Sequence, residues 1–215
     1  MARPICRDRQ ISKLSLYLGL EDAEAEARLP EVVLIQGVGA TGKTVTLRWL
    51  FSHHAISHAF VDCIECYQPK LLFQSILSQL AEGSQDEDIR CENVSDFTRM
   101  LTECLGDRRA VIVLENGDRL RDDLPLLSVF TRIQEITRAN VSSIIETRLD
   151  WSRLRPAEDI LTPVRIHFSQ YSRDELTRLV AAFLESEVSL DGDKDSQFRL
   201  QYAGLVLSLF YSITR

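Results

Sequence analysis

Long apolar runs are missing from this 215-residue chain. The longest nearly apolar stretch, Ala203 to Tyr211, falls far short of the roughly 20 residues that cross a bilayer, so no membrane association is expected. An apolar segment is also missing after the charged start Met1-Ala2-Arg3-Pro4, which argues against a secretory leader and for an intracellular protein. Lysine is scarce: only Lys13, Lys43, Lys70 and Lys194 occur, so nearly all positive charge is arginine, the side chain suited to bidentate contact with carboxylates and phosphates. A basic excess is absent too. The counts of 32 acidic and 25 basic residues give a net charge of -7, the wrong sign for a free-standing nucleic-acid binder, so any DNA contact is expected to be local or shared with partners. Five cysteines, an odd number, do not suit a disulfide framework. The pair Cys63-x-x-Cys66 has no second pair at zinc-finger spacing, and it ends an apolar strand pattern; structural cysteines are expected, in spite of nearby His53, His54 and His58. With 45% apolar and 27% charged residues, disorder and collagen-like structure are excluded, and the length suits one sizeable domain with a small satellite.

Short apolar strands alternate with amphipathic helices, the pattern of a parallel sheet covered on both faces. Strands are predicted at Val32 to Ile35, Ala59 to Cys63, Ala110 to Leu114, Val141 to Ile145 and Val164 to Phe168. The uninterrupted run Ala110-Val111-Ile112-Val113-Leu114 reads as a central strand buried on both faces. Helices are predicted from Lys43 to His53, from Pro69 through Leu80, from Val94 through Leu105, and from Leu124 to Arg138, with Gly83 to Glu92 as an acidic surface loop. Beyond Tyr171 a helical appendage is expected: Ser172 caps a helix to about Glu185, Leu190 to Asp193 links, and a second helix runs from Gln197 to Tyr211. No stop signal precedes Arg215, so the natural chain is expected to continue.

Between the first strand and the first of these helices stands Gly37-Val38-Gly39-Ala40-Thr41-Gly42-Lys43-Thr44, followed by Val45, a match to G-x-x-x-x-G-K-[ST] in the strand-to-helix context that a phosphate loop requires. Glycines let successive N–H groups turn inward, and the helix directs its positive end to the same point, so a polyphosphate is cradled. Lys43 is expected to meet the β and γ phosphates and Thr44 to offer its hydroxyl to Mg2+.

Hydrolysis would need two further acids at the end of a buried strand, one for the metal and one for the attacking water. The Ala110 strand ends Leu114-Glu115-Asn116. With Glu115 in the metal position, the base position holds an amide; with Glu115 as base, the metal position holds Leu114. Nucleotide binding with weak or absent hydrolysis is therefore expected. Asp118 is read as a turn acid paired with Arg119 or Arg121. If the Val141 strand lies between the phosphate-loop strand and the Glu115 strand, Thr147 or Glu146 at its end can face a γ-phosphate.

The phosphate loop, Phe60-Val61-Asp62-Cys63-Ile64-Glu65-Cys66, the segment Val111 to Glu115 followed by Asp118-Arg119-Leu120-Arg121-Asp122, and Phe168-Ser169-Gln170-Tyr171-Ser172 resemble the fifth-subunit family of the eukaryotic origin recognition complex over nearly the whole chain. The resemblance implies an α/β fold of the AAA+ P-loop NTPase type, with a five-stranded parallel sheet of order 5-1-4-3-2. It also implies a nucleotide-binding domain over 1–170 and the start of a helical lid over 171–215, the winged-helix domain lying outside this chain. It implies ATP and Mg2+ as cofactors, and assembly in the nucleus with other origin recognition complex subunits, the fourth and third as neighbours, in a ring around origin DNA that supports helicase loading. Arg7 would pack near the adenine, and Arg155 would be offered to the ATP of an adjacent subunit. The lid arginine of the family has no counterpart before Arg215. Two other readings compete: a P-loop enzyme such as a small-molecule kinase, for which no acid stands beside Glu115, and a signalling switch, which would lack the Cys63 to Cys66 and Asp118 to Asp122 segments.

Overall fold

The computed structural model describes residues 3–21, 28–81, 91–154 and 161–188. Two compact units are present, Met1–Ser169 and Gln170–Arg215. The first is built on five parallel strands: β1 (Val32–Gln36), β2 (Ser57–Asp62), β3 (Ala110–Glu115), β4 (Val141–Thr147) and β5 (Val164–His167). Their spatial order is β2-β3-β4-β1-β5, which read from the other edge is the expected 5-1-4-3-2. Every residue of β3 and β4 is buried, as the apolar run at Ala110 predicts for strands with neighbours on both sides.

Alternation along the strands divides the core. Ala59, Val61, Ile112, Leu114 and Ile145 face one layer, formed by α3 (Pro69–Leu80), α4 (Val94–Leu105), α5 (Leu124–Thr131) and α6 (Ile133–Thr137). There the Phe73 and Phe97 rings stack with centroids 4.4 Å apart, a contact that adds about 0.5–1.5 kcal/mol to the value of burying the rings. Val33, Ile35, Val111, Val113 and Ile144 face the other layer, where α1 (Asp8–Leu18) contributes Leu14 and Leu18 and α2 (Lys43–His53) contributes Leu47 and Leu50. Pro69 opens α3 at a position where a missing N–H costs nothing. Asn93 caps α4 by accepting from the Asp96 N–H at 2.9 Å. Among the described residues, no helix is long and apolar enough to cross a membrane.

Three features differ from the sequence expectation. The helix predicted from Leu124 to Arg138 is broken at Arg132 into α5 and α6. Buried Gln134 holds the second piece against the sheet, donating to the Leu29 and Val141 carbonyls at 3.0 and 3.3 Å and accepting from Arg28 at 2.8 Å. Those partners are remote or backbone groups, so helical periodicity carries no sign of them. The strand predicted to end at Ile145 runs on to Thr147, and a short helix, α7 (Trp151–Leu154), follows it. Most of the acidic loop, the Leu190 linker and the Gln197 helix lie outside the described residues. In the second unit, Ser172 caps α8 (Arg173–Val188) as predicted, in a capping box: its hydroxyl accepts from the Glu175 N–H at 3.3 Å and its own N–H donates to the Glu175 carboxylate at 2.8 Å.

Candidate functional site

The loop from Gly37 to Gly42 leaves the C-terminal end of β1 and feeds α2. Gly37 is fixed to both neighbouring strands' ends: its N–H donates to the Thr147 carbonyl at 3.1 Å, and a Cβ there would lie 2.5 Å from the Phe168 carbonyl oxygen. Ala40 and Gly42 adopt left-handed backbone conformations, with φ of 59° and 77°, which reverse the chain so that α2 starts beside the strand ends. The Thr41 hydroxyl closes the turn on the Val38 carbonyl at 2.9 Å. The first-turn N–H groups of α2 have no helical partners, and the helix dipole adds positive potential at this end.

Lys43 folds back under the loop and donates to the Gly37 and Val38 carbonyls, each at 2.9 Å, with its ammonium 3.9 Å from the Glu146 carboxylate. Burial pushes its pKa below the ordinary lysine value, with the Glu146 charge opposing that shift. A largely buried ammonium with mostly carbonyl partners is a centre ready to meet a further anion.

Parallel register sets the carboxylates. Asp62 pairs with Glu115 across β2 and β3, and Ile35 with Glu146 across β1 and β4, so the acids line the same end of the sheet. The Thr44 hydroxyl lies 2.9 and 2.8 Å from the two oxygens of Glu146. Burial is the main cause that raises the Glu146 pKa; hydrogen bonding from Thr44 and the Lys43 charge oppose it. Glu115, a candidate for the metal position, is held by Arg48 at 2.8 and 3.1 Å, and the Arg48 guanidinium lies over the Phe60 ring at 4.9 Å. Asn116 takes a left-handed conformation and donates to the Asp62 carboxylate at 2.9 Å.

Asp118 corrects the expectation of a turn acid paired with Arg119 or Arg121. A tight turn of 3-10 helix, Gly117–Asp122, carries its carboxylate over the end of β4, where it accepts from the Thr147 hydroxyl and from the Arg148 N–H, the latter at 2.8 Å. Its ion-pair partner is Arg148, at 3.7 Å. Gly117 makes this approach feasible, since a Cβ there would fall 2.5 Å from the Ile145 side chain.

A cavity of about 160 Å³ lies between the loop crest at Gly39 and Ala40, the Lys43 side chain, and the strand ends at Asn116, Glu146 and Thr147. The structure thus brings Thr147 and the phosphate loop together, because β4 does lie between β1 and β3. The side chain of Glu115 is not part of that lining. Val38 and Val45 are exposed. Arg7 is buried; its Nε donates to the Thr41 carbonyl at 3.0 Å and its Nη2 to the Ser169 carbonyl at 2.7 Å, so it clamps the loop from beneath. Arg155 lies outside the described residues. Sequence pattern alone does not single out Arg48, although it stands four residues after Thr44 on the same face of the helix, a spacing that aims both at the strand ends. Cys63 is buried and Cys66 half-buried, and both thiols are free.

The AAA ATPase domain profile matches residues 3–145. The chain is 31% identical to human origin recognition complex subunit 5, over 98% of this chain and 49% of the relative. With the Drosophila melanogaster protein of the same name it shares 25% identity, over 98% of this chain and 50% of the relative. Among solved structures, the Drosophila origin recognition complex bound to DNA contains a chain that superposes with a TM-score of 0.82 at 25% identity, covering 97% of this chain and 57% of that one. The chain spans about half the length of the curated relatives that it matches.

Proposed function

The chain belongs to the AAA ATPase family, and from that premise we propose that it is the ATP-binding part of an origin recognition complex subunit, supporting ring assembly on origin DNA and helicase loading. The observation that carries the reading is the loop itself: Lys43 and the start of α2 converge with Glu146 and Thr147 on one cavity, in a chain that resembles subunit 5 over nearly all its length. The donor set suits the group. Backbone N–H groups and an ammonium match phosphates, and a hydroxyl with a nearby carboxylate matches the hard oxygen sites that Mg2+ prefers. Bound nucleotide would supply its polyphosphate as the anion that Lys43 meets. Gly37 to Val45 would hold it, with Thr147 at its far end and Arg7 fixing the loop near the base.

Weak or absent hydrolysis is part of this proposal. Asn116, the residue after Glu115, carries an amide that cannot take a proton from water and is already donating to Asp62. The nucleotide then acts as an element of assembly, with Arg155 offered to a neighbour's ATP. On the family resemblance, residues 1–170 are the nucleotide-binding domain, 171–215 begin the lid, the third and fourth subunits are the neighbours, and the complex works in the nucleus. The net charge of -7 fits a chain that meets DNA as one member of a ring. A resemblance over 98% of this chain favours this reading over a small-molecule kinase or a signalling switch.

The test is ATP binding and turnover by the purified chain and by Lys43→Ala. Binding that is lost in the variant, with turnover well under the order of 1 s⁻¹ in both, is the expected result. Robust hydrolysis, or phosphate transfer to a small acceptor, refutes it.

A further inference from the structure

We propose that the divalent cation of the bound nucleotide is held in this chain by Thr44 together with Glu146 of β4, and not by Glu115 of β3. The proposal rests on the nucleotide-binding reading above. Its first support is placement: the Thr44 hydroxyl, the oxygen that the loop motif offers to a metal, sits 2.9 and 2.8 Å from the two Glu146 oxygens. Its second is availability. Both oxygens of Glu115 lie within hydrogen-bond reach of the Arg48 guanidinium, at 2.8 and 3.1 Å, and that guanidinium is itself seated over Phe60. Recruiting Glu115 to a metal would mean breaking this pair.

The third support is electrostatic. Glu146 is 9% exposed, lines the cavity, and stands 3.9 Å from the ammonium expected to meet the terminal phosphates. A carboxylate in that position, poorly screened by water, opposes a polyphosphate unless a cation lies between the two. With a divalent cation bound, the same carboxylate becomes a ligand and the repulsion becomes attraction. Glu146 therefore makes nucleotide binding conditional on the metal. A neutral side chain of the same shape would remove both the attraction and the repulsion.

The experiment titrates a fluorescent ATP analogue into the full chain with Mg2+ and with EDTA, for wild type, Glu146→Gln and Glu115→Gln. The wild type is expected to bind at least about tenfold more tightly with Mg2+. Glu146→Gln should bring that ratio to within about threefold, partly by binding more tightly than wild type in EDTA; Glu115→Gln should keep the wild-type ratio. Paramagnetic resonance of Mn2+ in place of Mg2+ should show the ion immobilised with nucleotide in wild type and Glu115→Gln and released in Glu146→Gln. Loss of the ratio in Glu115→Gln overturns the proposal whatever Glu146→Gln does, as does its retention in Glu146→Gln. Should Glu146→Gln fail to fold by thermal melting, Glu115→Gln alone decides. Failure of the wild type to bind the analogue in either buffer sinks the nucleotide reading itself, a result distinct from all of these.

Discussion

Arg48 reaches from α2 to the end of β3 and holds the Glu115 carboxylate at 2.8 and 3.1 Å. Glu115 is 8% exposed, so it leaves water almost wholly on folding, while the Arg48 side chain remains half exposed. Removing Arg48 would leave a buried carboxylate without its charge partner, the costly half of such a pair. Arg48→Ala should therefore destabilise the fold by about 1–2 kcal/mol, a fall in Tm of roughly 2–8 °C for a chain of this size. Glu115→Gln introduced into that variant should restore part of the loss. Strictly additive melting temperatures in the double-mutant cycle would show that the pair is not coupled.

Arg7 presents a second buried cation with a different task. Its guanidinium is 2% exposed and joins the Thr41 carbonyl of the phosphate loop to the Ser169 carbonyl beyond β5, over the face of Phe168 at 5.5 Å. Arg7→Ala should cost about 3 kcal/mol, since charged hydrogen bonds and packing are lost together. Differential scanning fluorimetry should show a drop of roughly 6–12 °C. Arg7→Lys, with one donor group in place of a fork, should fall between. A wild-type melting curve for Arg7→Ala would show that Arg7 does not clamp the loop.

The two residues also mark the border between what local sequence encodes and what it does not. The strands, the phosphate loop and the Ser172 cap are written in short-range patterns: apolar runs, glycine positions, a capping residue. Strand order follows from family resemblance and not from local pattern, and the partners of the acids follow only from register. Thr44 and Glu146 are 102 residues apart, and Arg48 and Glu115 are 67 apart. Which of two acids at neighbouring strand ends meets the loop hydroxyl depends on side-chain reach across a sheet, a quantity that no periodicity records. Gln134, just after the break at Arg132, likewise bonds to a carbonyl 105 residues away.

Cys63 gives a pH-dependent prediction. Burial, with smaller contributions from nearby Asp62, Cys66 and Glu115, pushes its thiol from an ordinary value near 9 up to about 12. At pH 8 the thiolate fraction is then about one in ten thousand, so iodoacetamide should leave Cys63 unmodified in the folded chain and label it once denaturant is added. Mass spectrometry of the peptide reads this directly. The sign for stability follows from the raised folded pKa: the contribution is fully present below about pH 9 and is lost as pH rises from 9 through about 12. Fast labelling of Cys63 at pH 8 without denaturant would contradict the buried placement.

Gly37 and Gly39 belong to one motif, yet their surroundings differ. A Cβ on Gly37 would lie 2.5 Å from the Phe168 carbonyl oxygen and 2.9 Å from the Phe168 Cβ, both in or next to the main chain, whereas a Cβ on Gly39 would meet nothing within 4 Å. Backbone cannot yield as a flexible side-chain end can, so Gly37→Ala must part the loop from the residue following β5. Because Arg7 also bonds to both Thr41 and Ser169, that displacement would spread through the clamp. Gly37→Ala should lower Tm by several degrees and weaken binding of an ATP analogue by at least about tenfold. Gly39→Ala should melt within about 2 °C of wild type, so that any effect it has on binding is a matter of phosphate approach alone. Equal melting temperatures for the two variants would mean that the loop is not pinned to the end of β5.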